Sequence, residues 1–178
     1  MAIDKVLLIE QYLRTERILR SFFDRYTVPV CVGYCVENEE EHDCCIDQTA
    51  RITEIKVNGL ASEISTLRAA KYSLTSGNGC GYLTATGCVL REYRSPVCNT
   101  FVCQVLVDHL NLIGAGLGQQ LREIERLSVA IFKGFPEAAN EKIRELEGEV
   151  STLSEVLDAI LPSGVNTWEY VMKPSGQK

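Results

Sequence analysis

Apolar residues recur about once per helical turn over long parts of the chain, a spacing that is typical of helices with one buried face. Four helices are predicted, at roughly residues 4–24, 60–73, 104–132 and 137–161. The last two have the most regular intervals of three and four residues, with apolar positions Leu106, Leu110, Ile113, Leu117, Leu121, Ile124, Ile143, Leu146, Val150, Leu153, Leu157 and Ile160. The pattern therefore predicts a mainly α-helical protein.

The chain between these helices has a different pattern. The stretch "TVPVCVGYCV" (27–36) is rich in β-branched residues and predicts extended chain or a short strand. Residues 81–93 carry apolar and β-branched residues on both sides of Gly87, which predicts a small, irregular β-hairpin. We therefore expect one domain over residues 1–178, in which an irregular lobe at about 27–103 packs on the N- and C-terminal helices.

Composition narrows the class of protein further. The chain has 178 residues, of which 46% are hydrophobic and 24% charged, as in a globular domain. No apolar run approaches the ~18 residues that a membrane span needs, so no membrane partner is expected. The formal net charge of -6 gives no basic surface by composition, and no nucleic-acid partner is expected either.

The N-terminal stretch "MAIDKVLLIEQYLRTERILRSFF" lacks the uninterrupted apolar segment and small-residue cleavage site of a secretory signal. A cytoplasmic location is therefore expected. Because cytosolic thiols are kept reduced, cysteines in such a protein more often bind metal or carry out redox chemistry than form disulfides.

All eight cysteines fall within residues 31–103, and the helical remainder has none. A tetrahedral zinc site or an iron–sulfur cluster uses four thiolates, so eight can fill two sites, or one with cysteines to spare. The alternatives are apolar cysteines buried in a core and a disulfide framework. The clustering favours metal ligation that organises the lobe, with zinc and iron both open. The predicted ligands are Cys31, Cys35, Cys44, Cys45, Cys80, Cys88, Cys98 and Cys103.

Three further residues bear on this site. Arg94 lies between two local pairs of cysteines, Cys80 with Cys88 and Cys98 with Cys103. There a guanidinium could offset thiolate charge as an outer partner of the ligands; the alternative is an exposed arginine. His42 lies beside an acidic loop and is expected to be solvated rather than a ligand. His109 falls within a predicted helix, where a packed or surface histidine is expected.

The downstream cysteines resemble a known family. Their spacing, Cys80-x2-Leu83-x4-Cys88-x5-Arg94-x3-Cys98-x2-Phe101-x-Cys103, is similar to that of the YkgJ-like family of zinc- or iron-chelating cysteine-rich domains. The resemblance covers about residues 31–103. The family's upstream cluster is usually a compact C-x2-C-x2-C-C, whereas here the cysteines are more widely spaced, and Ser95 separates Arg94 from the proline that usually follows it. The resemblance implies metal chelation by these cysteines.

Other functional motifs are weak. The stretch "LIGAGLGQQL" (112–121) does not match the glycine spacing of a dinucleotide-binding loop, so Gly114 and Gly118 are interpreted as a small-residue face for close helix packing. No catalytic set stands out by spacing, and whether the protein is an enzyme stays open. The prediction is thus a metal-binding protein of unknown role. One alternative is an iron–sulfur redox protein or an enzyme subunit related to protein lysine methylation, in which such domains occur. The other is a helical interaction module with a structural metal, binding a protein partner through the face of 143–160.

Overall fold

The computed structural model of the protein describes residues 5–36, 60–74, 82–84, 87–134 and 139–172. Within them the fold is mainly helical, as the sequence predicts. The helices are α1 (Lys5–Phe22), α2 (Val28–Cys31), α3 (Leu60–Lys71), α4 (Pro96–Thr100), α5 (Gln104–Ile113), α6 (Leu117–Gly134), α7 (Ala139–Ile160) and α8 (Thr167–Met172). None of these helices combines the length and the apolar character that a bilayer span requires.

The core lies where α1, α6 and α7 pack against one another. The residues of α7 that recur at intervals of three and four, such as Leu146 and Leu157, are fully buried there. Tyr12 of α1 packs against Phe132 of α6 with ring centroids 5.2 Å apart. The face of 143–160 that was a candidate surface for a protein partner is therefore part of the intramolecular core.

Residues 27–36 are helical, so the prediction of extended chain is wrong. The helical path continues from α1 through a π-helical turn at Phe23–Thr27, the short helix α2 and a second π-helical turn at Val32–Val36. Pro29 lies in the first turn of α2, a position at which helices tolerate proline. Val30 packs into the core on this path, and such tertiary contacts override the weak strand preference of β-branched residues.

The predicted helix at 104–132 is two helices, α5 and α6, that pack against each other. The chain turns at 114–116, where Gly116 has a φ of 88°, a left-handed conformation that glycine adopts without strain. Gly118 packs closely on α5, and a Cβ there would overlap the carbonyl oxygen of Val107. The regular apolar spacing arises because the same core covers the inner faces of both helices.

Two smaller elements complete the described fold. Strands β1 (Leu83–Thr84) and β2 (Gly87–Cys88) pair antiparallel, with Thr84 opposite Gly87. Two residues per strand fall short of the predicted hairpin, and Gly87 begins the second strand instead of forming the turn. The short helix α8 was not predicted, because six residues carry too little periodicity to be recognised.

Candidate metal centre

The structure describes the side chains of four of the eight predicted ligands. Cys31 ends α2, Cys88 lies in β2, Cys98 lies in α4, and Cys103 immediately precedes α5. All four are partly buried. For Cys35 the described feature is its place in the π-helical turn after α2. The remaining predicted ligands, Cys44, Cys45 and Cys80, lie outside the described residues. His42 lies outside them as well.

Arg94 is buried, with 5% of its surface exposed, and is not the exposed arginine of the alternative interpretation. Its Nη2 donates to Oδ1 of Asp24 at 3.0 Å, and its Nε donates to the carbonyl of Leu90 at 3.4 Å. Burial acts to lower the pKa of Arg94, but Cys88, then Asp24, then Cys98 raise it, and the net shift is upward. Negative charge on Asp24 or on either cysteine therefore favours the charged form of the guanidinium.

A buried carboxylate on α1 holds the turn that presents Arg94. Oε2 and Oε1 of Glu16 accept the backbone N–H groups of Tyr93 and Arg94 at 2.8 and 2.7 Å. Tyr93 has a φ of 63°, uncommon for a residue with a side chain, and the two hydrogen bonds stabilise that conformation. The hydroxyl of Tyr12 donates to the carbonyl of Arg94, so α1 binds the backbone of this residue from both sides.

The thiol of Cys98 has a polar neighbour. Ser95 Oγ lies 3.1 Å from Cys98 Sγ and also accepts the backbone N–H of Cys98 at 3.3 Å. Asn99, next along α4, donates from Nδ2 to the hydroxyl of Tyr12 at 3.3 Å. Burial raises the pKa of Tyr12, and the nearby Glu16 and Cys98 add to that shift. Cys98 therefore lies at the contact between α4 and α1.

The other end of this segment is fixed to α6. Val102, one residue before Cys103, donates its N–H to Oε1 of Glu125 at 3.2 Å. Its carbonyl accepts a hydrogen bond from Nη1 of Arg122 at 2.5 Å. Arg122 and Glu125 also pair with each other at 2.8 Å. Residues 93–103 thus cross between α1 and α6 with both ends tied to the helical scaffold.

The C-terminal helix α8 packs on the π-helical turn that follows α2. Trp168 packs against Gly33, which lies between Cys31 and Cys35, and a Cβ at Gly33 would overlap the indole ring. The ring of His109 stacks on Trp168 at 5.5 Å, and its Nε2 donates to the carbonyl of Thr167 at 2.9 Å. His109 is therefore a packed histidine, as the sequence indicates.

In the described part of the chain, no three His, Cys, Asp or Glu side chains form a group that could hold a metal ion. The predicted ligands with described side chains are Cys31, Cys88, Cys98 and Cys103. A closed tetrahedral site needs four ligands that converge on one point, and these four do not form such a group.

Two residues that organise this region, Asp24 and Glu16, were not predicted from the sequence. Each lies on the helical path of α1 and contacts Arg94, which is 70 residues beyond Asp24 and 78 beyond Glu16. Nothing in their local sequence distinguishes them from the exposed acidic residues of an amphipathic helix. Only the tertiary contact with Arg94 identifies them.

No protein family, curated protein or solved structure matches the chain at a significant level. The similarity to the YkgJ-like family stays a prediction from the spacing of the cysteines.

Proposed function

We propose that this chain is a cytoplasmic metal-binding protein whose cysteines ligate zinc or an iron–sulfur cluster. Three observations support the proposal: the restriction of all eight cysteines to residues 31–103, their family-like spacing downstream, and the buried guanidinium of Arg94 between Cys88 and Cys98 in the sequence. The restriction of the cysteines carries the most weight, and the buried cation adds to it. A buried cation is costly unless negative charge surrounds it, and Asp24 is already shared with Arg20. Thiolates would supply that charge.

Metal content of anaerobically purified protein tests the proposal. With eight thiolates in two closed sites, we expect about two zinc ions in a colourless protein. A brown protein with reversible changes in its visible spectrum would identify an iron–sulfur centre, and with it the redox alternative. A metal-free protein that is fully folded would refute metal binding.

A pair of variants assigns the metal to the cysteines. Cys98→Ser removes a predicted ligand, and we expect it to lower the metal content per chain. Ser95→Ala alters the same turn without removing a thiol, and it should keep the wild-type stoichiometry at saturating metal. Equal metal content in wild type and Cys98→Ser would exclude Cys98 as a ligand.

A further inference from the structure

The segment at residues 28–36 is helical against its local preference. It is rich in valine, which favours strands, and its path consists of the four-residue helix α2 and a π-helical turn. Among its residues whose side chains are described, Val30 and Gly33 are buried and the others are partly exposed. Because so little apolar surface is buried, the segment depends on neighbouring elements to stay helical.

The C-terminal helix α8 is one of those neighbours. Both α5 and α8 pack on α2, and Trp168 of α8 contacts Gly33, where a Cβ would overlap its indole. Yet α8 spans six residues, too few for a helix that is stable on its own. It follows a short connection in which Gly164 has a φ of 80°. The segment at 28–36 and α8 are thus each marginal alone and pack against each other.

The first turn of α8 is bound to parts of the molecule outside that segment. Thr167, which is fully buried, donates from Oγ1 to the carbonyl of Tyr26 at 2.6 Å, and its own carbonyl accepts Nε2 of His109 at 2.9 Å. The hydroxyl of Tyr26 donates to Asp158 of α7 at 2.5 Å, which binds the first π-helical turn to the core. Through Thr167 and Trp168, α8 therefore connects this fixed support with the segment at 28–36.

The contacts of α8 are few compared with those of the core helices. Thr167 is the buried residue of α8, whereas α7 buries an apolar row that includes Leu146 and Leu157. Elements with few buried contacts open locally at a lower free energy than the whole domain unfolds. We therefore expect α8 to detach while α1, α6 and α7 stay packed.

We propose that α8 is a strap: when docked it holds residues 28–36 in their helical path, and the two open together as one cooperative unit while the core stays folded. Cys31 ends α2 and Cys35 lies in the second π-helical turn, so opening exposes the part of the chain that carries both. The inference goes beyond the proposed function, because it concerns the conformation of these residues and holds whether or not they ligate a metal.

Native-state hydrogen exchange of the full-length protein, measured by mass spectrometry, tests the strap. In wild type we expect the amides of 28–36 and of α8 to exchange through one opening, faster than the slowest amides of α6 and α7. Thr167→Val removes the hydroxyl that binds Tyr26 and keeps the shape of the side chain. It should speed exchange in 28–36 and in α8 by the same factor, about 5- to 20-fold, as expected for one lost hydrogen bond to a buried carbonyl.

Thr15→Val is the matched control. Thr15 is also 0% exposed, and its Oγ1 donates to the carbonyl of Gln11 at 2.9 Å, within α1. The same substitution therefore removes an equally buried hydroxyl from a helix that stays folded when the strap opens. In this variant, exchange in 28–36 and in α8 should keep its wild-type rate.

A second variant weakens α8 without altering its contact with Tyr26 or Gly33. Asn166 precedes α8 and accepts the N–H of Glu169 at 2.9 Å, so Asn166→Ala removes the N-cap of the helix. We expect exchange in 28–36 and in α8 to be about 5-fold faster than in wild type, the factor that corresponds to a lost cap. This variant also replaces Thr167→Val should that protein not fold by circular dichroism.

Three results would overturn the inference. In the first, a folded variant of α8 speeds exchange in α8 but not in 28–36, so that the segment does not depend on the strap. In the second, Thr15→Val speeds exchange in 28–36 as much as Thr167→Val does, which would show that the segment opens only with the core. In the third, neither Thr167→Val nor Asn166→Ala changes exchange in either element.

Discussion

Glu16 illustrates how a single residue of α1 determines the path of a distant segment. The residue is 1% exposed, and each carboxylate oxygen accepts one backbone N–H of the turn at Tyr93 and Arg94. The pKa of Glu16 is raised above its ordinary value of 4.5 because burial removes water from the carboxylate, and the two N–H groups offset only part of that effect. The charge that binds the turn is thus costly to bury.

The raised pKa predicts how stability depends on pH. A carboxyl that binds its proton more tightly in the folded state contributes stability that is lost as pH rises from the unfolded pKa, near 4.5, to the folded value. We expect the free energy of unfolding of wild type minus that of Glu16→Gln to fall over this window and to be constant above it. Urea unfolding at a series of pH values measures the difference.

The matched control for this measurement is Glu10→Gln. Glu10 lies on the same helix and is exposed, so its substitution should leave the pH dependence of wild type nearly unchanged. A difference between wild type and Glu16→Gln that stays flat, or that grows as pH rises from 4.5, would contradict the assigned cause of the shift.

Among the elements, the long helices were the most predictable part of the fold. The intervals between apolar residues predict both the helix α7 and its buried face, because a helix of 22 residues repeats the interval over about six turns. The turn at Gly116 was not predicted, because the apolar residues keep their spacing of three and four from α5 through the turn into α6. The helical structure of 27–36 was not predicted, because the local propensity of its β-branched residues favours a strand. Packing of Val30 into the core outweighs that propensity.

The docking of α8 on the second π-helical turn depends on one close approach. A methyl group at Gly33 would overlap the rigid indole of Trp168, and we expect Gly33→Ala to destabilise the protein by about 1–3 kcal/mol.

Gly148→Ala is the control, because no atom lies within 4 Å of a Cβ there and the site is mid-helix. That substitution should stabilise by about 0.5–1 kcal/mol. Urea unfolding followed by the fluorescence of Trp168, the one tryptophan, distinguishes them; equal effects would refute the close approach.

At the scale of the whole molecule, the sequence predicts the residues of the candidate site but not the residues that hold its segment in place. The clustering of cysteines within 31–103 and the position of Arg94 can be read from the sequence alone. The roles of Asp24 and Glu16 cannot, because their partner Arg94 is 70 and 78 residues away and no local pattern indicates the contact.

The absence of cysteines after residue 103 predicts a local response to metal removal. Residues 104–172 contain no cysteine, and α6 and α7 bury their apolar faces against α1. If metal organises the cysteine-rich lobe, a chelator should expose backbone amides at 88–103 to hydrogen exchange and leave those of α6 and α7 protected. Exchange measured by mass spectrometry, with and without chelator, tests this. Unchanged exchange at 88–103 would show that metal does not organise the lobe. Equal loss of protection in α6 and α7 would show that the core depends on the metal as well.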